Sequence, residues 1–251
     1  MTTTLFTGGT VRALAVFAEW LLVRGNRIEG LGSTDDMPTA DRTIDLHGGV
    51  LVPSFCDAHV HLPATGLFAE GLDFRGEHST DRILSALSAT ADSGAPILFG
   101  GNFEEPLDRP LTKTELDRAV GARKALVSRA DMHSCVVSSE LLSELELSGL
   151  EGVDVDGTGA PTGYLREEAA ATAWSAFDAS LSPDAQRHAV RGAVRLAYSK
   201  GITSVHEMFV VEWRGWQSLE LFLETIEPLA IEVITYAGTP EVKRVADLGL
   251  T

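Results

Sequence analysis

Apolar and polar positions follow two different periods along this chain, and the change of period marks its parts. Up to about residue 52 the apolar runs are short and cut by glycine: Thr3 to Thr7, Val11 to Ala13, Glu19 to Arg24, Arg27 to Leu31 and Arg42 to Leu46. Such runs, bounded by Gly8-Gly9, Gly25-Asn26 and Gly48-Gly49, predict β-strands, with Gly25-Asn26 as a tight hairpin turn. Further on the period lengthens. Ile83, Leu84, Leu87 and Ala91 predict a helix over 80–91, and Thr112 with Glu115 forms a capping-box signature for another. Strands are predicted over 95–103 and 125–129, a helix over 138–147, a loop or hairpin over 154–163, and an alanine-rich helix after Glu168. From Ser182 an α/β rhythm sets in. Ser182-Pro183-Asp184 starts a helix that Gly201 stops, followed by a strand over 202–208, a helix over 218–226, a strand over 231–237 and a helix-like end.

One stretch stands out, Leu51 to Leu62, LVPSFCDAHVHL. It reads as a short apolar strand ending in two histidines one residue apart. Successive side chains of a strand point to opposite faces, so Phe55, Asp57, His59 and His61 share one side and Cys56, Ala58 and Val60 the other. Two imidazoles on one face can turn a nitrogen to the same point, which suits a divalent metal such as zinc. The plainer reading is a pair of partly exposed histidines at a strand end.

Composition narrows the field. With 251 residues, 44% of them hydrophobic, the chain has material for a large core, and about 250 residues is also the size of one (β/α)8 barrel. The formal net charge of −16, from 36 acidic and 20 basic residues, argues against nucleic acid or an anionic membrane as partner. It suits a small-molecule substrate. Two cysteines, Cys56 and Cys135, make no disulfide framework, and Cys56 reads as small buried packing. The N-terminal apolar residues lack a basic lead and are interrupted by Glu19 and Arg24, so neither a signal peptide nor a membrane span is expected, and the cytoplasm is the default location.

Pro53 to Leu62, PSFCDAHVHL, resembles the first-strand metal motif of the amidohydrolase superfamily, and the flanking chain resembles its YtcJ-like branch, the amidohydrolase 3 family. Ser54 departs from the glycine usual in that pattern. The resemblance implies an α/β fold: a partial metal-dependent-hydrolase TIM barrel over 53–251, with an inserted α+β segment at about 64–190. Residues 1–52 would form the N-terminal part of a small β-sandwich. Three stretches resemble barrel strands, Val52 to His61, Ile202 to Met208 and Ile231 to Ala237, whereas a closed barrel needs eight. Motifs resembling H-A-x-G-D, E-H-A and S-D-x-P, which carry the family's later ligands and its proton-shuttling aspartate, do not occur in this sequence.

The same resemblance implies the N-terminal half of a metal-dependent hydrolase acting on a non-peptide C–N bond, such as an amide or formamide. His59 and His61 would be metal ligands, with zinc as the metal. Activity would require the missing half, whether on a second polypeptide or lost by truncation, and a C-terminal half on a second chain or a homo-oligomer is the expected partner besides the substrate. An inactive remnant or scaffold, and a metal-binding module completed by a partner chain, remain alternatives. Asp57 would orient a ligand imidazole, or equally be a structural carboxylate satisfied by backbone. His133 and Glu167 resemble cavity residues of the branch, against a surface loop histidine and a first-turn helix acid. His206 ends a barrel strand and reads as a substrate contact or as packing ahead of a later-added ligand. Unpaired strand edges lead to the expectation that the isolated chain self-associates.

Overall fold

The computed structural model describes residues 1–13 and 15–250. Thr251, the last residue of the barrel segment expected from the sequence, lies outside them. By its internal packing the chain divides into two units, Met1–Phe55 and Cys56–Thr251.

The first unit holds β1 (Thr3–Thr7), β2 (Thr10–Ala13), β3 (Val16–Ala18), β4 (Trp20–Arg24), β5 (Arg27–Gly32), β6 (Arg42–Asp45) and β7 (Val50–Leu51). One sheet has the order β5-β4-β1-β6 and another β3-β2-β7. Strand β4 turns Trp20 and Leu22 into a cluster with Leu5, and Leu21 into a second cluster with Val11 and Ala18. Both of its faces are therefore covered. The Gly25-Asn26 turn joins β4 to β5 with Arg24 opposite Arg27, and Gly25 takes the positive φ of 62° that such a turn asks of it.

The second unit begins along β8 (Phe55–Val60) and continues through α1 (Leu62–Glu70), β9 (Leu72–Asp73), α2 (Thr80–Ala89), β10 (Leu98–Phe103), α3 (Lys113–Val120), β11 (Ala125–Arg129) and β12 (Ser134–Val137). Next come α4 (Ser139–Leu142), β13 (Val153–Val155), β14 (Pro161–Arg166), α5 (Glu167–Ser180) and α6 (Pro183–Ser199). The chain then runs through β15 (Ile202–Val210), α7 (Val211–Arg214), α8 (Trp216–Ile226), β16 (Glu232–Gly238) and α9 (Val242–Asp247).

Strands β9 to β14 make one six-stranded sheet, ordered β13-β14-β12-β11-β10-β9. Alternation along its central strands decides which helices cover which face. Ala125, Val127 and Val136 point to a core with Ile83 and Leu87 of α2 and Leu116 and Val120 of α3. Leu126, Cys135 and Val137 point the other way, to Leu141 of α4 and Ala169, Ala173, Trp174 and Phe177 of α5. The segment is thus three layers with two cores, where the sequence suggests only a mixture of helix and strand. The helix expected over 138–147 stops at Leu142, because Leu145 and Leu147 reach the core at a spacing of two, which a helix cannot sustain.

Three strands form the remaining sheet, in the order β16-β15-β8. One face is dry. Val205 and Phe209 of β15 and, in part, Val60 of β8 pack on Val190, Ala193 and Val194 of α6 and on Leu219 and Phe222 of α8. The other face carries His206, half-buried, with Ile234 and Tyr236, 42% and 49% exposed. Strands β8 and β16 are the two edges.

Cys56 corrects the expectation of a buried residue. It is exposed, because the apolar cluster reaches Val60 at one end of β8 and not Cys56 at the other. Cys135 is buried, and burial pushes its thiol up to about 12. A thiol-reactive dye should therefore titrate one cysteine in the folded chain and two in denaturant, and two in native buffer would contradict this packing.

Candidate functional site

Val60 faces the helices, so His59 and His61 turn to the opposite side of β8. Their rings stand 5.6 Å apart at an interplanar angle of 88°. His59 is exposed, and Oδ1 of Asp57 accepts its backbone N–H at 3.1 Å. The Asp57 carboxylate thus braces the backbone of the first histidine.

His61 is held more firmly. It sits at the N-cap of α1 with φ −113° and ψ 82°, and its carbonyl accepts the N–H of Thr65 at 2.8 Å. Its Nδ1 lies 2.7 Å from the carbonyl oxygen of Met208 on β15. A carbonyl only accepts, so Nδ1 carries the proton and Nε2 keeps the lone pair. Burial holds the His61 pKa below the usual imidazole value; His59 and Arg214 add to that, and the Met208 carbonyl opposes it. Neutral imidazole with a committed Nδ1–H is the form that ligates a metal.

Beneath this pair lies a buried ionic group. Glu207, 1% exposed, accepts the backbone N–H of Leu62 at 2.5 Å, and burial raises its carboxyl to about 7 against the pull of Leu62 and Arg214. Nη1 of Arg214 lies 3.3 Å from Oδ1 of Asp178, whose carboxyl is raised by burial and lowered by that guanidinium. Sequence reasoning alone misses Asp178 and Arg214. Asp178 does carry a signal, since it follows Ala173, Trp174 and Phe177 on the buried stripe of α5, and a charge there needs a partner. Nothing local marks Arg214.

The other singled-out residues fall into two places. His206 meets Tyr236 on the neighbouring strand, with rings stacked 5.6 Å apart and Nδ1 3.1 Å from the phenol oxygen. His133 and Glu167, 34 positions apart, form a pair of their own, with Nδ1 3.1 Å from Oε2. Pairing of Ser134 with Arg166 sets them side by side, and Glu167 donates its N–H to the carbonyl of His133. Glu167 has φ 47° and Met132 φ 60°, left-handed values that cost non-glycine residues energy and often mark sites. Among the described residues, no group of three or more His, Cys, Asp or Glu is placed to hold a metal.

Residues 42–241 match the model of the Amidohydrolase family. The chain belongs to the amidohydrolase family. Protein LONG AFTER FAR-RED 3 of Arabidopsis thaliana is 25% identical over 273 residues, covering 98% of this amidohydrolase chain and 46% of that protein. YtcJ of Bacillus subtilis (strain 168) is 30% identical over 211 residues, covering 78% and 39%. An uncharacterized metal-dependent hydrolase from Pyrococcus furiosus shares the fold, with a TM-score of 0.71 at 24% identity, over 99% of this chain and 53% of that one. The chain therefore spans about half the length of these relatives. No helix among its described residues is long and apolar enough to cross a membrane.

Proposed function

We propose that this chain contributes the first two ligands, His59 and His61, to a divalent-metal centre that hydrolyses a non-peptide C–N bond in a small amide or formamide-like substrate. The observation that carries the reading is the His61 imidazole, whose Nδ1–H is committed to Met208 while Nε2 remains for a metal, beside a second imidazole 5.6 Å away. The donor set fits zinc, which accepts imidazole readily. Family membership and the shared fold with a metal-dependent hydrolase support the same assignment.

In this reading β8, β15 and β16 are three neighbouring staves of a TIM barrel over 53–251, interrupted by the insertion at about 64–190, and 1–52 is part of a β-sandwich. The face bearing His59, His61 and His206 is the barrel interior. A metal held by His59 and His61 would supply Lewis-acid activation of water and of a carbonyl group. The chain's own residues do the rest of what is present. Met208 fixes the tautomer of His61, Asp57 braces His59, and His206 with Tyr236 offers a flat surface with a polar tip to the substrate. His133, backed by Glu167, offers its Nε2 as a hydrogen-bonding group. The further ligands and a proton-shuttling carboxylate would come from the remaining part of the barrel, which these residues do not include, since two histidines do not complete a zinc site.

The test is metal content. Titrated with zinc at equilibrium, the purified chain should bind about one equivalent, weakly because two ligands leave the site incomplete, and His59→Ala with His61→Ala should bind none. Equal metal in both would remove the assignment.

A further inference from the structure

Consecutive residues of β15 grip the consecutive residues His61 and Leu62, where β8 gives way to α1. Met208 accepts the His61 Nδ1–H through its backbone carbonyl at 2.7 Å, and Glu207 accepts the Leu62 N–H through its side chain at 2.5 Å. One short piece of β15 thus holds both the His61 imidazole and the N–H of the peptide that joins His61 to Leu62. Leu62 opens α1, and its N–H is one of the first-turn amides that have no partner inside the helix. No side chain caps α1 from its own N-cap position, so Glu207 does the work of a cap from 145 positions away.

Burying a carboxylate for this purpose is costly, since Glu207 is 1% exposed and an apolar side chain there would carry no desolvation cost of its own. A leucine in its place would fill the space and leave the Leu62 amide unsatisfied, with the Thr65 N–H on the His61 carbonyl as the remaining tie on that peptide. We propose that Glu207 is a positioning residue for the metal site, holding the His61–Leu62 peptide so that the imidazole reaches the Met208 carbonyl and presents Nε2 in one fixed direction. The inference rests on the metal reading of His61, but the clamp itself is visible without metal. Its reach matters more than its charge. Glutamine keeps an oxygen at the same distance, aspartate withdraws the carboxylate by one methylene, and leucine removes it.

The experiment compares the metal-free chain with Glu207→Gln, Glu207→Asp and Glu207→Leu. Long-range proton–nitrogen NMR reads the His61 tautomer, and titration with Co2+ alone, followed by its visible absorption, reads affinity. Wild type and Glu207→Gln should show one tautomer, with Nδ1 protonated, and Co2+ affinities within about threefold of each other. Glu207→Asp and Glu207→Leu should show both tautomers and bind Co2+ on the order of tenfold to a hundredfold more weakly, as loss of outer partners does at other sites. If Glu207→Leu fails to fold, Gln against Asp decides. A single Nδ1–H tautomer in Glu207→Asp and Glu207→Leu would overturn the proposal. So would a Gln variant as impaired as Leu, because charge and not reach would then be at work. Should wild type bind no Co2+, the metal reading falls, while the tautomer comparison still judges the clamp.

Discussion

Replacing Arg214 by methionine should destabilise the folded chain by about 3–5 kcal/mol at pH 7, the cost of leaving a buried charge without its partner. Arg214 and Asp178 are 15% and 7% exposed in their side chains, so water screens the pair little. Oδ1 of Asp178 has no hydrogen-bond partner in the structure, which leaves the guanidinium at 3.3 Å as its compensation. The same guanidinium pulls against the burial that raises Glu207. Urea denaturation checks the loss, and a change below about 1 kcal/mol would mean that water replaces the arginine.

The pH dependence has a definite sign. Glu207 titrates at about 7 when folded against an ordinary value of 4.5, so the folded chain binds the extra proton between those limits. Its contribution to stability is complete below about 4.5 and is lost as pH rises through 7. Wild type should therefore gain about 3 kcal/mol on Glu207→Gln as pH is lowered from 7 to 4.5. In Arg214→Met, where Asp178 and Glu207 both lose their nearby cation, the destabilisation should be smaller at pH 5 than at pH 7. Asp41, Glu77, Asp108 and Asp156, held below the usual carboxylate range chiefly by hydrogen bonds from neighbouring residues, act in the opposite sense at lower pH, which is why the comparison is made between variants.

The second large effect is expected at Gly66. It is buried where α1 crosses α6, and a Cβ there would fall inside the Ala189 carbonyl oxygen, an atom of backbone that has no rotamer to escape by. Alanine favours a helix over glycine by about 1 kcal/mol. Forcing two packed helices apart costs typically 1–3 kcal/mol and occasionally more. The clash should win, with Gly66→Ala losing about 1–2 kcal/mol net in urea denaturation. Because α1 starts directly after His61, the same variant should also weaken Co2+ binding. A more stable Gly66→Ala would show that the crossing has slack.

Much of the fold is legible in the sequence, for identifiable reasons. The helix at 183–199 is announced by Ser182, whose hydroxyl does accept the N–H of Ala185, and by a glycine stop at φ 74°. Thr112 likewise accepts the N–H of Glu115 as its capping box requires. Such signals are local, and local geometry satisfies them. The side on which His59 and His61 fall follows from strand alternation alone. Pairings across long separations are not legible. His133 meets Glu167 because β12 happens to lie beside β14, and the six-strand order of that sheet has no short-range signature. Arg214 pairs with Asp178 from a helix of four residues whose sequence carries no periodic signal. Composition is silent on Cys56, because exposure depends on where a cluster ends rather than on which face a residue occupies.

Strand β8 and its sheet neighbour β15 are separated in the chain by everything from residue 61 to residue 201. Most of that interval carries its own two cores, whereas β15 and β16 pair across one short helical crossover. Closing so long a loop is slow when the loop is slack, and faster once its interior has condensed. Refolding should then proceed with the six-stranded layer first, the β15–β16 pair independently, and β8 last. The two histidines would arrive in place only at the final step, so pulse-labelled amides of β8 should be the last to gain protection.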